Sequence, residues 1–365
     1  MALPSLTPDD PDVVGHHLLL LPADVGHDEV EVLAASRFPH ARWETVPSTV
    51  APRSAGARGL RAPEPPPGVL RLSRHSTLVG PFTLSTLAAA ALGVPTSAGV
   101  AYRLQAPVER GAAPLPGGGD RDGLRRAFPD GLPVRDEERT LGWLLAAARR
   151  LGGAVRTAGP TAAHTRTEAS PTATVLVPDP AAAVDLTVWS DVWLEPEAAL
   201  AVMRRAVPRA YLNLPAPSWG GPPPGTGTRA VPGGDALDEA QRRALHAAAD
   251  ERDIATLTQP PPMTAYGCLA DLELDGILAL EVSGETRLPP VIAAVPWAER
   301  GAVAYRVHWE PPDVEELHAE RPSLPHKVAR GRALPLVAAV ARAVHTAVGG
   351  EVTDEMEFVV DPADL

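Results

Sequence analysis

Cysteine and lysine are almost missing from this chain of 365 residues, which has one of each, Cys268 and Lys327. A single thiol excludes an intramolecular disulfide and a cysteine-rich metal site. Basic charge is short as well, with a net charge of −12 and a pI of about 5.4. A nucleic-acid binder needs a basic face to neutralise phosphates. The densest basic stretch, 51–75, sets Arg53, Arg58, Arg61, Arg71 and Arg74 against Glu64 but has no aromatic ring to stack on a base. It reads as a solvated loop followed by an edge strand, so no nucleic-acid partner is expected.

Long apolar runs are lacking too. Leu18–Leu21 is too short for the core of a signal peptide, and the acidic N-terminus MALPSLTPDDPDVV carries no basic n-region. Arg342 and His345 interrupt 334–348, the stretch nearest in length to a membrane span. The expectation is a soluble cytoplasmic protein without a membrane partner. Catalytic signatures are equally scarce. No GxSxG elbow, HExxH helix, GK[ST] phosphate loop or GxGxxG fingerprint occurs. Gly117–Gly119 and Gly225-Thr226-Gly227 therefore read as loop glycines, and no cofactor or metal is expected.

What is abundant is alanine, glycine and proline, with 42 prolines and almost all basic charge on arginine. That usage points to a gene of high G+C content, as in high-G+C bacteria. The apolar fraction of 45% and charged fraction of 21% are those of a folded globular chain. The length suggests two units. The proline- and glycine-rich stretch 215–234 is the clearest break in composition, which predicts an N-terminal unit over 1–214, a linker over 215–234 and a C-terminal unit over 235–365.

Strands are expected at 17–21, 69–74, 100–105, 175–177, 184–194 and 210–214, and helices at 28–38, 81–92, 136–151 and 195–207. In the second half, a helix over 235–251 precedes a four-stranded antiparallel meander over 267–310. Its turns are read at Asp275-Gly276, 283–285 and 299–301, and its third strand at 290–297. Helices at 313–320 and 335–348 and a terminal strand at 356–360 complete an α+β fold with antiparallel sheets and helices packed on one face. The segments 143–157 and 340–354 both run from an alanine-rich helix through Gly-Gly into a β-like stretch. Duplication of one unit and shared composition both account for that likeness.

The candidate site is DLTVWSDVWLE, 185–195. On an extended strand Asp185, Trp189, Asp191, Trp193 and Glu195 share one side, opposite Val184, Leu186, Val188, Val192 and Leu194. Two indoles among carboxylates suit a sugar, a cation or a protein partner. The structural alternative is a helix packed over the rings, with the acids in solvent or capping the helix after Glu195. Other groupings are weaker. His16, His17, Asp24 and His27 surround one turn, Glu315 and His318 share a helical face, and His308 and Glu310 share a strand face; none has a recognised metal spacing. A non-catalytic binding or interaction protein is expected, with a protein, a second copy of the chain or a small molecule as partner. The alternative is a hydrolase using Asp185, Asp191 or Glu195 as general acid or base beside the aromatic platform.

Overall fold

The computed structural model describes residues 3–48, 64–158, 173–213, 237–258 and 263–365. The first half opens with the short helix α1 (Pro11–Val14), followed by β1 (His17–Leu21), α2 (His27–Arg37), β2 (Arg42–Thr45), β3 (Gly68–Arg71), β4 (Thr77–Thr83), α3 (Thr86–Leu92), β5 (Val100–Gln105), α4 (Leu124–Ala127), α5 (Arg135–Arg150), β6 (Ala154–Arg156) and β7 (Val175–Leu176). The second half comprises β8 (Leu186–Ser190), α6 (Pro196–Ala206), β9 (Tyr211–Asn213), α7 (Glu239–Thr258), β10 (Ala265–Asp271), β11 (Ile277–Glu285), α8 (Pro290–Ala293), β12 (Ala302–Glu310), α9 (Leu324–Val348), β13 (Glu351–Asp354) and β14 (Val359–Val360).

The strands form two seven-stranded antiparallel sheets, β2-β3-β4-β5-β1-β6-β7 and β9-β10-β11-β12-β8-β13-β14. Replacing each strand of the first order by the strand at the same chain position in the second half gives the second order without exception. The residue registers match as well. Leu19 lies opposite Tyr102 as Val188 lies opposite Tyr305, and Leu20 lies opposite Ala154 as Trp189 lies opposite Glu351. The chain therefore folds as one α+β unit used twice. Its sequence trace is VAYRLQ at 100–105 against VAYRVH at 303–308, on the paired strands β5 and β12.

In each unit two helices cover one sheet face. Leu19, Tyr102, Leu104 and Val155 pack under α2 and α5, and Val188, Tyr305, Val307 and Val352 under α6 and α9. A shorter helix covers the other face near the central strand. Leu20 and Ala101 belong to the cluster that includes Ala88 and Ala89 of α3, while Trp189 and Ala304 belong to that of Ile292 in α8. Burial on both faces explains why β1 is an unbroken run of leucines rather than an alternation.

Several boundaries differ from the sequence reading. Strands change sheet between Leu176 and Leu186, and β8 and β9 pair with strands of the second half; the proline-rich stretch 215–234 lies outside the described residues. The expected meander keeps three of its strands. Pro290 opens α8 where a strand was read, because its missing N–H and fixed φ suit a first helical turn. The turn after β10 spans 272–276, not two residues, with Leu272 N–H donating to Gly276 O at 2.8 Å. Residues 283–285 continue β11 rather than turning. Pro81 sits inside β4, and α3 starts at Thr86 under the cap of Ser85. Helix α9 begins eleven residues before the expected start: Ser323 caps it, and Pro335 is accommodated inside it. Gln241 and Asp238 cap α7 reciprocally, a capping box.

The two units meet along a seam. The turn between β13 and β14 reaches into the first unit, where Phe358 is fully buried in the α2–α5 core. Arg37 donates to Met356 O at 2.9 Å, Arg121 pairs with Glu355 at 2.8 Å, and Arg330 of α9 pairs with Asp179 at 2.7 Å. No described helix is long and apolar enough to cross a membrane.

Candidate functional site

The indole pair does not form a common surface. Strand β8 ends at Ser190, whose hydroxyl accepts from Val192 N–H and donates to Val348 O. The chain bends there, so the alternation assumed over 185–195 is broken and the two rings fall into different cores. Trp189, 5% exposed, packs with Ile292, Ala302 and Ala304 and donates its Nε1–H to Thr353 Oγ1 at 3.0 Å. Trp193 packs at the edge of the opposite core, edge-on to Tyr266 with ring centroids 5.4 Å apart. Two phenols hold its backbone. Tyr305 Oη accepts from Leu194 N–H and donates to Val192 O, and Tyr266 Oη donates to Leu194 O. Asp191 and Glu195 are exposed. The reading of this stretch as an aromatic platform is corrected by that bend.

Asp185 is the exception. The ladder between β8 and β12 ends at the Leu186–Val307 pair, and beyond it the Asp185 carboxylate accepts from Trp309 N–H at 3.1 Å. It lines a cavity of about 250 Å³ at the seam, together with Arg149 and Arg150 of α5, Leu334 and Ala338 of α9, Asp354 and Met356. Helices α5 and α9 hold the same position in the two units, so the cavity lies between repeated parts. Its lining is mostly aliphatic, with two carboxylates and two guanidinium groups.

The electrostatics are unbalanced. Burial raises the Asp185 pKa to about 6, with the nearby Glu355 adding to the rise and the Trp309 N–H opposing it. Among the described residues no cation lies within ion-pairing distance of Asp185. Burial also raises the Asp354 pKa, against the N–H groups of Phe358 and Met356 and the charge of Arg150 at 3.9 Å. Arg149, 3% exposed, pairs with Asp122 through Nη2 and contacts Met356 S through Nη1. Its Nε is buried without a hydrogen-bond partner among the described residues. Buried polar groups left unpaired in a native structure are uncommon and call for an explanation.

An acid whose pKa is raised by folding opposes folding once ionised. The unfolded chain releases the proton first, so the Asp185 contribution to stability falls as pH rises from about 4 through 6. Asp185→Asn keeps an acceptor for Trp309 N–H and removes the charge. It is expected to stabilise the protein by about 3 kcal/mol at pH 7.5 and by well under about 1 kcal/mol at pH 4, read from urea midpoints at the two pH values. A variant less stable than the parent at pH 7.5 would contradict an uncompensated carboxylate.

Several of the other sequence candidates have local partners. His17 donates Nε2–H to Glu137 at 3.0 Å and accepts from Ala158 N–H at Nδ1, so both ring nitrogens are occupied. Glu137, fully buried, also accepts from Glu109 N–H and from Arg110. Burial pushes its pKa up, but the bonds from His17, Arg110 and Glu109 outweigh that and hold it below the ordinary value. His27 lies edge-on to Trp43. Burial raises the Cys268 pKa to about 11, which keeps its thiol protonated. Arg71 pairs with Glu44; Arg53, Arg58, Arg61 and Gly225-Thr226-Gly227 lie outside the described residues. No three His, Cys, Asp or Glu side chains converge as a metal-binding group among the described residues.

Asp354, Arg149 and Arg150 were missed as site residues. Their one signal was the paired Gly-Gly stretches, which place a helix end and a strand at corresponding points of the two units. No family model, curated protein or solved structure matches this chain.

Proposed function

We propose that the protein is a non-catalytic binding protein whose ligand is a small molecule held in the cavity at the seam. The observation that carries this reading is that Asp185, without an ion-pair partner, and Arg149, whose buried Nε–H has no acceptor among the described residues, both line one aliphatic cavity. Such groups cost stability when left uncompensated, and sites that bind at the expense of stability are a recurrent trade-off. Aliphatic walls with a few convergent polar groups are the usual make-up of a small-ligand site.

The test is a calorimetric screen of short branched-chain amines, amides, alcohols and carboxylates against the parent chain and Ala338→Phe, which fills the cavity from α9. Binding to the parent that disappears in a folded Ala338→Phe supports the reading. Absence of binding by every class, or binding that survives the filled cavity, counts against it. Asp191→Asn and Glu195→Gln are expected to leave affinity within about twofold of the parent, because surface substitutions away from the contacts have small effects.

A second reading, carboxylate-assisted hydrolysis, is favoured by one feature. An acid with a pKa of about 6 can both give and take a proton near neutrality. In that case Asp354 replaces Asp191 and Glu195 as the partner acid. Turnover of a short-chain ester or amide by the parent, lost in Asp185→Asn with unchanged affinity, would distinguish catalysis from binding alone.

A further inference from the structure

Resting on the seam cavity as the ligand site, we infer that its ligand is an aliphatic amphiphile whose head carries a protonated amine beside a neutral hydrogen-bond acceptor. The argument proceeds group by group. Two acids line the cavity, Asp185 and Asp354, and two more adjoin its lining residues, Asp122 paired with Arg149 and Glu355 next to Asp354 in the chain. Three arginines face them, and two are committed, Arg149 to Asp122 and Arg121 to Glu355. Arg150 lies 3.9 Å from Asp354, beyond hydrogen-bonding distance. Asp185 remains without an ion-pair partner, with one oxygen on Trp309 N–H and only the more distant charges of His308 and Arg121 partly offsetting its burial. A ligand ammonium supplies what that carboxylate lacks, in a setting where charge-assisted bonds are strong.

The second requirement comes from Arg149. Arg149 lines the cavity, and its buried Nε–H has no acceptor among the described residues. A ligand carboxylate would answer it but would also face Asp185 and Asp354, so a neutral carbonyl or hydroxyl fits better. The body of the ligand then meets Ala146, Ala183, Val184, Leu186, Ala338 and Val360. Each aliphatic carbon buried there adds the ordinary apolar contribution. Both chain halves supply lining residues, so binding would also hold the repeats together.

Three probes that share one branched alkyl chain separate the requirements: leucinamide carries amine and carboxamide, 3-methylbutylamine the amine alone, and 4-methylpentanamide the carboxamide alone. The expected order by calorimetry at pH 7 is leucinamide first, with each of the others at least about tenfold weaker. Asp185→Asn should remove the advantage of leucinamide over 4-methylpentanamide. Arg149→Lys, which keeps the charge that faces Asp122 and removes the Nε–H, should remove its advantage over 3-methylbutylamine. Leucinamide affinity should fall about tenfold between pH 7 and pH 5 as Asp185 takes up its proton. If 4-methylpentanamide binds the parent as tightly as leucinamide, the amine is not recognised and the inference is overturned while the cavity remains a ligand site. If 3-methylbutylamine matches leucinamide, the acceptor half is overturned. If none of the three binds and the broader screen also finds nothing, the ligand-site reading itself falls.

Discussion

Phe358→Ala is expected to lower unfolding stability by about 3–5 kcal/mol, the cost of deleting a fully buried aromatic ring. Phe358 follows β13, yet its ring is fully buried within the α2–α5 core, alongside Leu33, Leu141 and Leu145. The backbone on either side is tied down: Asp354 accepts from Met356 N–H and Phe358 N–H, and Arg37 donates to Met356 O. The anchor therefore cannot withdraw cheaply, and truncation leaves a void. Because this side chain anchors the turn between β13 and β14 in the core of the first unit, the loss should also weaken coupling between the units. The parent is expected to unfold in urea in one transition, and Phe358→Ala in two, with the first unit melting earlier. Phe358→Leu, nearer in volume, should cost less than about 2 kcal/mol. A loss below about 1 kcal/mol in Phe358→Ala would mean that the β13–β14 turn is an appendage of the first unit and not part of its core.

The sequence exposed the fold class and most central elements because their patterns were local. Four leucines in a row mark β1, the alternation Val303, Tyr305, Val307, Trp309 marks β12, and acids before arginines mark α5. The DLTVWSDVWLE stretch was harder, for a physical reason. Period-two reading assumes one unbroken strand, and nothing within that stretch signals that the Ser190 hydroxyl and two tyrosines, 266 and 305, hold a bend at 190–194. Comparison of the halves would have resolved it. Once VAYR at 100–103 is aligned with VAYR at 303–306, strand pairing makes Trp189 the counterpart of Leu20, a residue buried beneath a short helix. The same alignment is what makes the seam intelligible, since equivalent helices supply its two sides. Of the expected site residues only Asp185 lines the cavity. Its companions come from segments far apart in the chain, which local spacing cannot bring together.

Gly350→Ala is expected to cost at least about 2 kcal/mol more than Gly349→Ala, whose cost is backbone strain alone, about 1–3 kcal/mol. Both glycines have positive φ, +68° at Gly349 and +89° at Gly350, and Gly349, with ψ −153°, lies in a region that is essentially glycine-only, so an alanine there carries backbone strain of about 1–3 kcal/mol. They differ in what surrounds them. A Cβ on Gly349 meets nothing within 4 Å, whereas one on Gly350 would lie 1.9 Å from the carbonyl oxygen of Trp189. That oxygen belongs to the central strand, so relief requires parting β13 from β8 and weakening ladder bonds worth about 1 kcal/mol each. The first unit repeats the arrangement. Gly152, at φ +65°, is open, and a Cβ on Gly153 would lie 2.3 Å from Leu20 O. The four alanine variants, compared by urea unfolding, should therefore show the second alanine of each Gly-Gly step costing more than the first, Gly153 more than Gly152 and Gly350 more than Gly349. Equal costs within one Gly-Gly step would show that helix termination alone selects glycine there. The paired outcome would show that close approach of the central strand selects the second glycine in both units.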